Sequence, residues 1–142
     1  MPAYNSAPIW FWIIAVLALL WNAMGTLAFY MDISQTSEQL AQQSQVIQDL
    51  YQARPTWAVI AFAVAVLAGL AGSVALLVRS HWALSLFNLS LIGVIAQNFY
   101  SFGVAEMHKH IQGSFTLPLI VFLVAVGLVF FARFCRQNNW LS

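Results

Sequence analysis

Four runs of about twenty apolar residues, separated by short polar connections, constrain this chain more than any other feature. At about 1.5 Å per residue, each run can cross the ~30 Å hydrocarbon layer of a bilayer as an α-helix. Hydrophobic residues make up 62% of the chain and charged ones only 6%, a composition that does not suit a soluble helical core. The expected fold is an all-α integral membrane four-helix bundle, residues 1–142 forming one transmembrane domain with the lipid bilayer as its main partner.

The first span is expected over 9–29, after Pro8, whose missing N–H is not needed in a first turn. Trp10 and Trp12 mark one interface. The second, 57–78, follows Pro55 and begins at the interfacial Trp57. The third, 82–102, comes after only Arg79-Ser80-His81, a link so short that these two spans must form an antiparallel hairpin; the fourth is expected over 115–134. No Lys or Arg precedes the first run, so it reads as a retained span rather than a secretory signal. Under this topology Arg79, Arg133 and Arg136 lie on one face with no acid beside them. On the other, Arg54 and Lys109 are offset by Asp32, Glu38, Asp49 and Glu106. Retention of basic residues on the cytoplasmic side then puts both termini in the cytoplasm.

The longer connection carries its own helical signal. Thr36 and Gln39 have the spacing of a capping box, and Glu38 favours the positive end of a helix starting there. Leu40, Ile47, Leu50 and Tyr51 recur at helical spacing among glutamines, so a short external amphipathic helix is expected over 36–53. It reads either as a connector that tucks its apolar stripe onto the bundle or as a lid or docking element.

Inside the spans, amides lack water and seek one another or a free carbonyl. Asn22 and Gln97 fall at similar depth, with Thr26, Asn98 and Ser101 around that level and Tyr100 close by. A polar intramembrane cluster of Asn22, Thr26, Gln97, Asn98 and Ser101 is expected in the outer half, as helix–helix glue or as a solute site. Ser90, Gln97 and Ser101 share one face of the third span and Ser85 and Asn88 nearly the opposite one, which places that span at the centre of the bundle or against a partner. Ala61, Ala65, Gly69 and Ser73 form a ridge of small residues for close packing, within the bundle or between copies. The fourth span has no strongly polar side chain from Leu117 to Ala132 and reads as the peripheral one.

No acid, base or histidine lies within a span core, and no paired carboxylates, phosphate-binding glycine loop or activated nucleophile can be found. An enzyme is not expected, nor any cofactor. A net charge of +1 does not point to nucleic acid. The single cysteine, Cys135, can form neither an internal disulfide nor a metal cluster. Glu106, His108 and His110 are a weak metal signal, better read as a hydrated loop, and the scattered Met24, Met31 and Met107 do not argue for copper; no metal is expected.

Trp21-Asn22-Ala23-Met24-Gly25, then Pro55-Thr56-Trp57, then Gly69 through Ser73 to Leu76-Leu77-Val78-Arg79, and Trp82-Ala83 together resemble a family of small bacterial four-span proteins loosely labelled "sugar transporter". The resemblance implies a bacterial inner membrane and carries over no active-site residue. Two functions are expected. The preferred one is an accessory or assembly subunit that packs against a larger membrane complex, or another copy of itself, through the fourth span, the ridge and the external helix. The other is a small neutral-solute carrier, sugar-like in preference, acting as an oligomer with a path lined by Asn22, Gln97, Asn98 and Ser101 beside Trp21 and Tyr100.

Overall fold

The computed structural model describes residues 6–104 and 116–141. Its helices are α1 (Ile9–Ile33), α2 (Ser37–Ala41), α3 (Gln45–Ala53), α4 (Thr56–Leu77), α5 (Trp82–Asn98) and α6 (Thr116–Gln137), and a π-helical turn, Phe99–Val104, continues α5. Among the described residues there is no strand. Four helices, Ile9–Ile33, Thr56–Leu77, Trp82–Gly103 and Thr116–Gln137, are long and apolar enough to cross a membrane. The fold is the all-α four-helix bundle of a multi-pass membrane protein.

Two local features depart from the expected pattern. The capping box forms, with Thr36 N–H on Gln39 Oε1 and Gln39 N–H on Thr36 Oγ1, but the helix it starts ends at Ala41. Ser44 then caps α3, its hydroxyl accepting from Ile47 N–H at 3.4 Å, so the single helix expected over 36–53 is two. A serine that bonds the backbone ahead of it competes with continuation of the helix behind it. The third span ends in a π turn, which seats Tyr100 edge-on to Trp57 at 5.6 Å and buries it. On the same side of the molecule α3 is moored to the end of α1, where Tyr51 Oη donates to the Asp32 carbonyl and Arg54 pairs with the Asp32 carboxylate at 2.7 Å.

The long helices pack in chain order: α4 lies between α1 and α5, and α6 rests on α5. Burial is deepest in α4, at 44% of its apolar window, and shallowest in α6, at 11%. The centre is therefore shared by the second and third spans, and the second is the more enclosed, because its small residues admit a neighbour on two sides. Towards α5, a Cβ on Gly93 would stand 2.8 Å from the Ala61 carbonyl oxygen and 2.7 Å from the Ala65 nitrogen. Backbone touches backbone there, and Ser90 Oγ donates to the Ala65 carbonyl at 2.6 Å. Towards α1, Gly69 leaves the space that the Asn22 side chain occupies, and Ser73 is wholly buried. Lipid supplies no hydrophobic drive between helices, so such close packing and interhelical hydrogen bonds must hold them. All four ridge residues, Ala61, Ala65, Gly69 and Ser73, are buried within this one bundle.

One end of the bundle is sealed. Phe11, Leu76, Phe87, Ala132, Cys135 and Trp140 belong to one buried cluster drawn from all four spans and the tail after α6. Trp10 meets Phe131, Phe134 and Trp140 with ring centroids 5.1–6.1 Å apart, which joins α1 to α6. Two matching helix ends complete the seal. After α4, Ser80 N–H bonds the Ala75 carbonyl and Arg79 N–H the Leu76 carbonyl, with Arg79 at φ 57°. After α6, Trp140 N–H bonds the Cys135 carbonyl and Asn139 N–H the Arg136 carbonyl, with Asn139 at φ 60°. Both are Schellman motifs, in which a left-handed residue returns the chain over its own last turn. Arg79 Nε donates to the Trp140 carbonyl at 2.7 Å and clasps the two ends together.

Candidate functional site

Away from the sealed end, α1 and α6 part around a cavity of about 370 Å³. Every span contributes to its wall: Asn22 and Gly25 from α1, Phe62 and Val66 from α4, Ser90 and Gln97 from α5, Val121 and Leu128 from α6. Measured along the helices, Asn22 lies roughly 20 Å from the start of α1 and Gln97 roughly 22 Å from the start of α5, both beyond the bilayer midplane as seen from the sealed end. A cavity of this size, mostly apolar with a few polar groups, has the character of a small-molecule site.

Of the five residues expected to form a polar cluster, four line the cavity: Asn22, Gln97, Asn98 and Ser101. They share the space without bonding one another. Asn22 Nδ2 donates to the Ala18 carbonyl at 2.8 Å and to Ser73 Oγ at 3.0 Å, and Ser73 Oγ donates onward to the Gly69 carbonyl at 2.9 Å. Its partner is thus a ridge serine on α4, not Gln97. The fifth residue, Thr26, is not part of the wall; its hydroxyl donates to the Asn22 carbonyl one turn back, the usual outlet for a threonine within a helix. Tyr100 is turned to Trp57, whereas Trp21 does line the cavity.

Gln97, Asn98 and Ser101 are half-buried, and none of their side chains makes a hydrogen bond to another described residue. An amide in hydrocarbon without a partner is costly, so these groups face a space where a partner of other origin can meet them. They sit where α5 passes into its π turn. The wider π turn shifts the register of the side chains after it, and such turns recur at functional sites. Asn22 belongs to both settings: its nitrogen is spent on structure, while its oxygen has no donor among the described residues. Among the described residues, no Asp, Glu, Lys, Arg or His lines the cavity.

Ser90, which shares a helix face with Gln97 and Ser101, also lines the cavity, while Ser85 and Asn88 on the other side of α5 are exposed. The Ser73 contact was missed by sequence reasoning, as was the share of α4 and α6 in the cavity wall, whereas Asn22, Gln97, Asn98, Ser101 and Trp21 were expected to line one path. Ser73 carried a usable signal, a hydroxyl in a ridge of alanine and glycine. Glu106, His108, Lys109 and His110 lie outside the described residues. Among those described, no group of His, Cys, Asp or Glu could hold a metal ion. The chain matches no family model, no curated protein and no solved structure.

Proposed function

We propose that this chain is a non-enzymatic protein of a bacterial inner membrane, with both termini in the cytoplasm, that holds a small uncharged ligand in the cavity between α1 and α6 as a carrier or facilitator. The observation that carries the reading is the convergence of Asn22, Gln97, Asn98 and Ser101 on one space that all four spans line. Uncharged donors and acceptors beside the Trp21 ring suit a neutral polar group, and an ion would meet no counter-charge among the described residues of the wall. The sealed end carries Arg79 and Arg136, which favours the cytoplasmic side for that end and the outer half of the membrane for the cavity. The resemblance to small four-span proteins labelled "sugar transporter" points the same way.

Vesicle uptake tests this reading. Proteoliposomes of the full chain should take up an uncharged solute, from a labelled panel running from sugars and polyols to alkyl glycosides, above the protein-free background, and Gln97→Leu should abolish that uptake while eluting and melting as wild type. Uptake unchanged in Gln97→Leu would reject the site.

A second reading, an accessory or assembly subunit, is favoured by a different surface. Ser85 and Asn88 are exposed on α5 within its span, and exposed polar groups at that depth call for a protein neighbour. Because the ridge is used up inside the bundle, this face and the outer side of α6 are what remain for a partner. Gentle detergent extraction followed by mass spectrometry should recover a stoichiometric membrane protein; recovery of the bare monomer alone would count against it.

A further inference from the structure

The rim of the cavity shows how a ligand reaches it. Met24 on α1 and Leu117 on α6 line the cavity and are 67% and 65% exposed, so the gap between these helices opens through the side of the bundle. Both residues belong to helices apolar enough to cross a membrane, Met24 well inside its span and Leu117 in the first turn of its own, so in a bilayer the opening would face lipid from the acyl chains up to the interface. At the other end, the Trp10 ring meets Phe131 and Trp140 and joins α1 to α6, and Arg79 ties the tail after α6 to the turn after α4. The polar groups line the wall contributed by α5, facing an opening bordered by apolar side chains.

Resting on the reading of the cavity as a ligand site, we propose that its ligand is an amphiphile with an uncharged, hydrogen-bonding head and an apolar tail, which enters sideways from the bilayer between Met24 and Leu117. The head takes hydrogen bonds from the Gln97 and Asn98 amides and donates to the Asn22 oxygen. The first part of the tail lies against Val66, Val121 and Leu128, and the remainder trails through the opening into lipid. An ionised head is disfavoured because no described residue of the wall compensates its charge. A fully water-soluble solute gains nothing from an opening that faces lipid.

The test uses the full chain in phosphatidylcholine nanodiscs and a monoacylglycerol whose acyl chain carries a photoreactive diazirine and an alkyne handle. Labelling should fall on peptides containing residues 21–28 and 117–128. Unlabelled monoolein should displace the probe, and oleate, with the same tail and an ionised head, should be at least about tenfold weaker. The double variant Gln97→Leu, Asn98→Leu should label about tenfold less, the loss expected from two neutral hydrogen bonds. Met24→Trp at the rim should also reduce labelling, whereas Ala23→Trp, exposed but not part of the cavity wall, should leave it unchanged and serves as the control for folding. Equal competition by oleate and monoolein, or wild-type labelling in the double variant, would overturn the proposal. Should glycerol or glucose displace the probe as well as monoolein does, the sideways route falls while the cavity remains a ligand site. Should no competitor act and both cavity variants label normally, the two fall together.

Discussion

The two ends of this bundle are built from the same four helices and solve opposite problems. At the sealed end, rings from α1 and α6 meet those of the tail, and paired Schellman turns return the chain over its own carbonyls. At the other end, α1 and α6 carry smaller and more flexible groups towards each other, and amides of α5 lie between them without partners among the described residues. Where the membrane protein must be stable, polar groups are internally satisfied; where they are not, there is a space for something else to satisfy them. Asn22 and Gln97, two amides at similar depth, mark the boundary between these regimes.

Substitutions can break or sharpen this contrast. The largest effect is expected midway between the ends, at Gly93, where the backbones of α4 and α5 touch. Even Gly93→Ala should cost about 1–3 kcal/mol, and Gly93→Leu should abolish the monodisperse peak on size exclusion in detergent. At the sealed end, Phe11→Ala removes a wholly buried ring. Lipid cancels much of the transfer term and leaves lost packing, so about 2–3 kcal/mol is expected, measured by thermal unfolding. Asn22→Leu breaks the bond to Ser73 and should cost about 1 kcal/mol by the same assay. Asn139→Gly relieves a left-handed residue and should stabilise the sealed end by up to about 1 kcal/mol, unless its side chain offsets the strain. Gln97→Leu should be the quietest, within about 0.5 kcal/mol of wild type, because no bond to a described residue is lost. A destabilisation at Gln97 as large as that at Asn22 would erase the distinction between the two amides.

The architecture was legible in the sequence because each part of it has a local cause. Span lengths follow from the apolar runs, the α4–α5 hairpin from the shortness of its link, and the capping box from Thr36 and Gln39. The break before α3 had a signal too, since Ser44 stands ahead of Ile47, Leu50 and Tyr51 as an N-cap does, but the longer apolar periodicity obscured it. The partner of Asn22 could not be read. Depth along a helix is additive in sequence, whereas the direction a side chain faces depends on how two helices rotate and cross, and Gly69 decides that crossing by leaving room for the amide on α4 rather than α5. The polar side of the cavity was signalled by Asn22, Gln97, Asn98 and Ser101 at one depth, but its apolar side, where α1 and α6 part, had no sequence signature.

The hydrogen bond from Arg79 to the Trp140 carbonyl joins residues 61 positions apart and ties the far end of α6 to the turn after α4. For a rod of this length, five degrees of tilt about that end displaces the far tip by about 3 Å, given about 1.5 Å of rise per residue. A change at the arginine that tilts α6 is therefore expected to register most at Leu117, on the opposite side of the membrane.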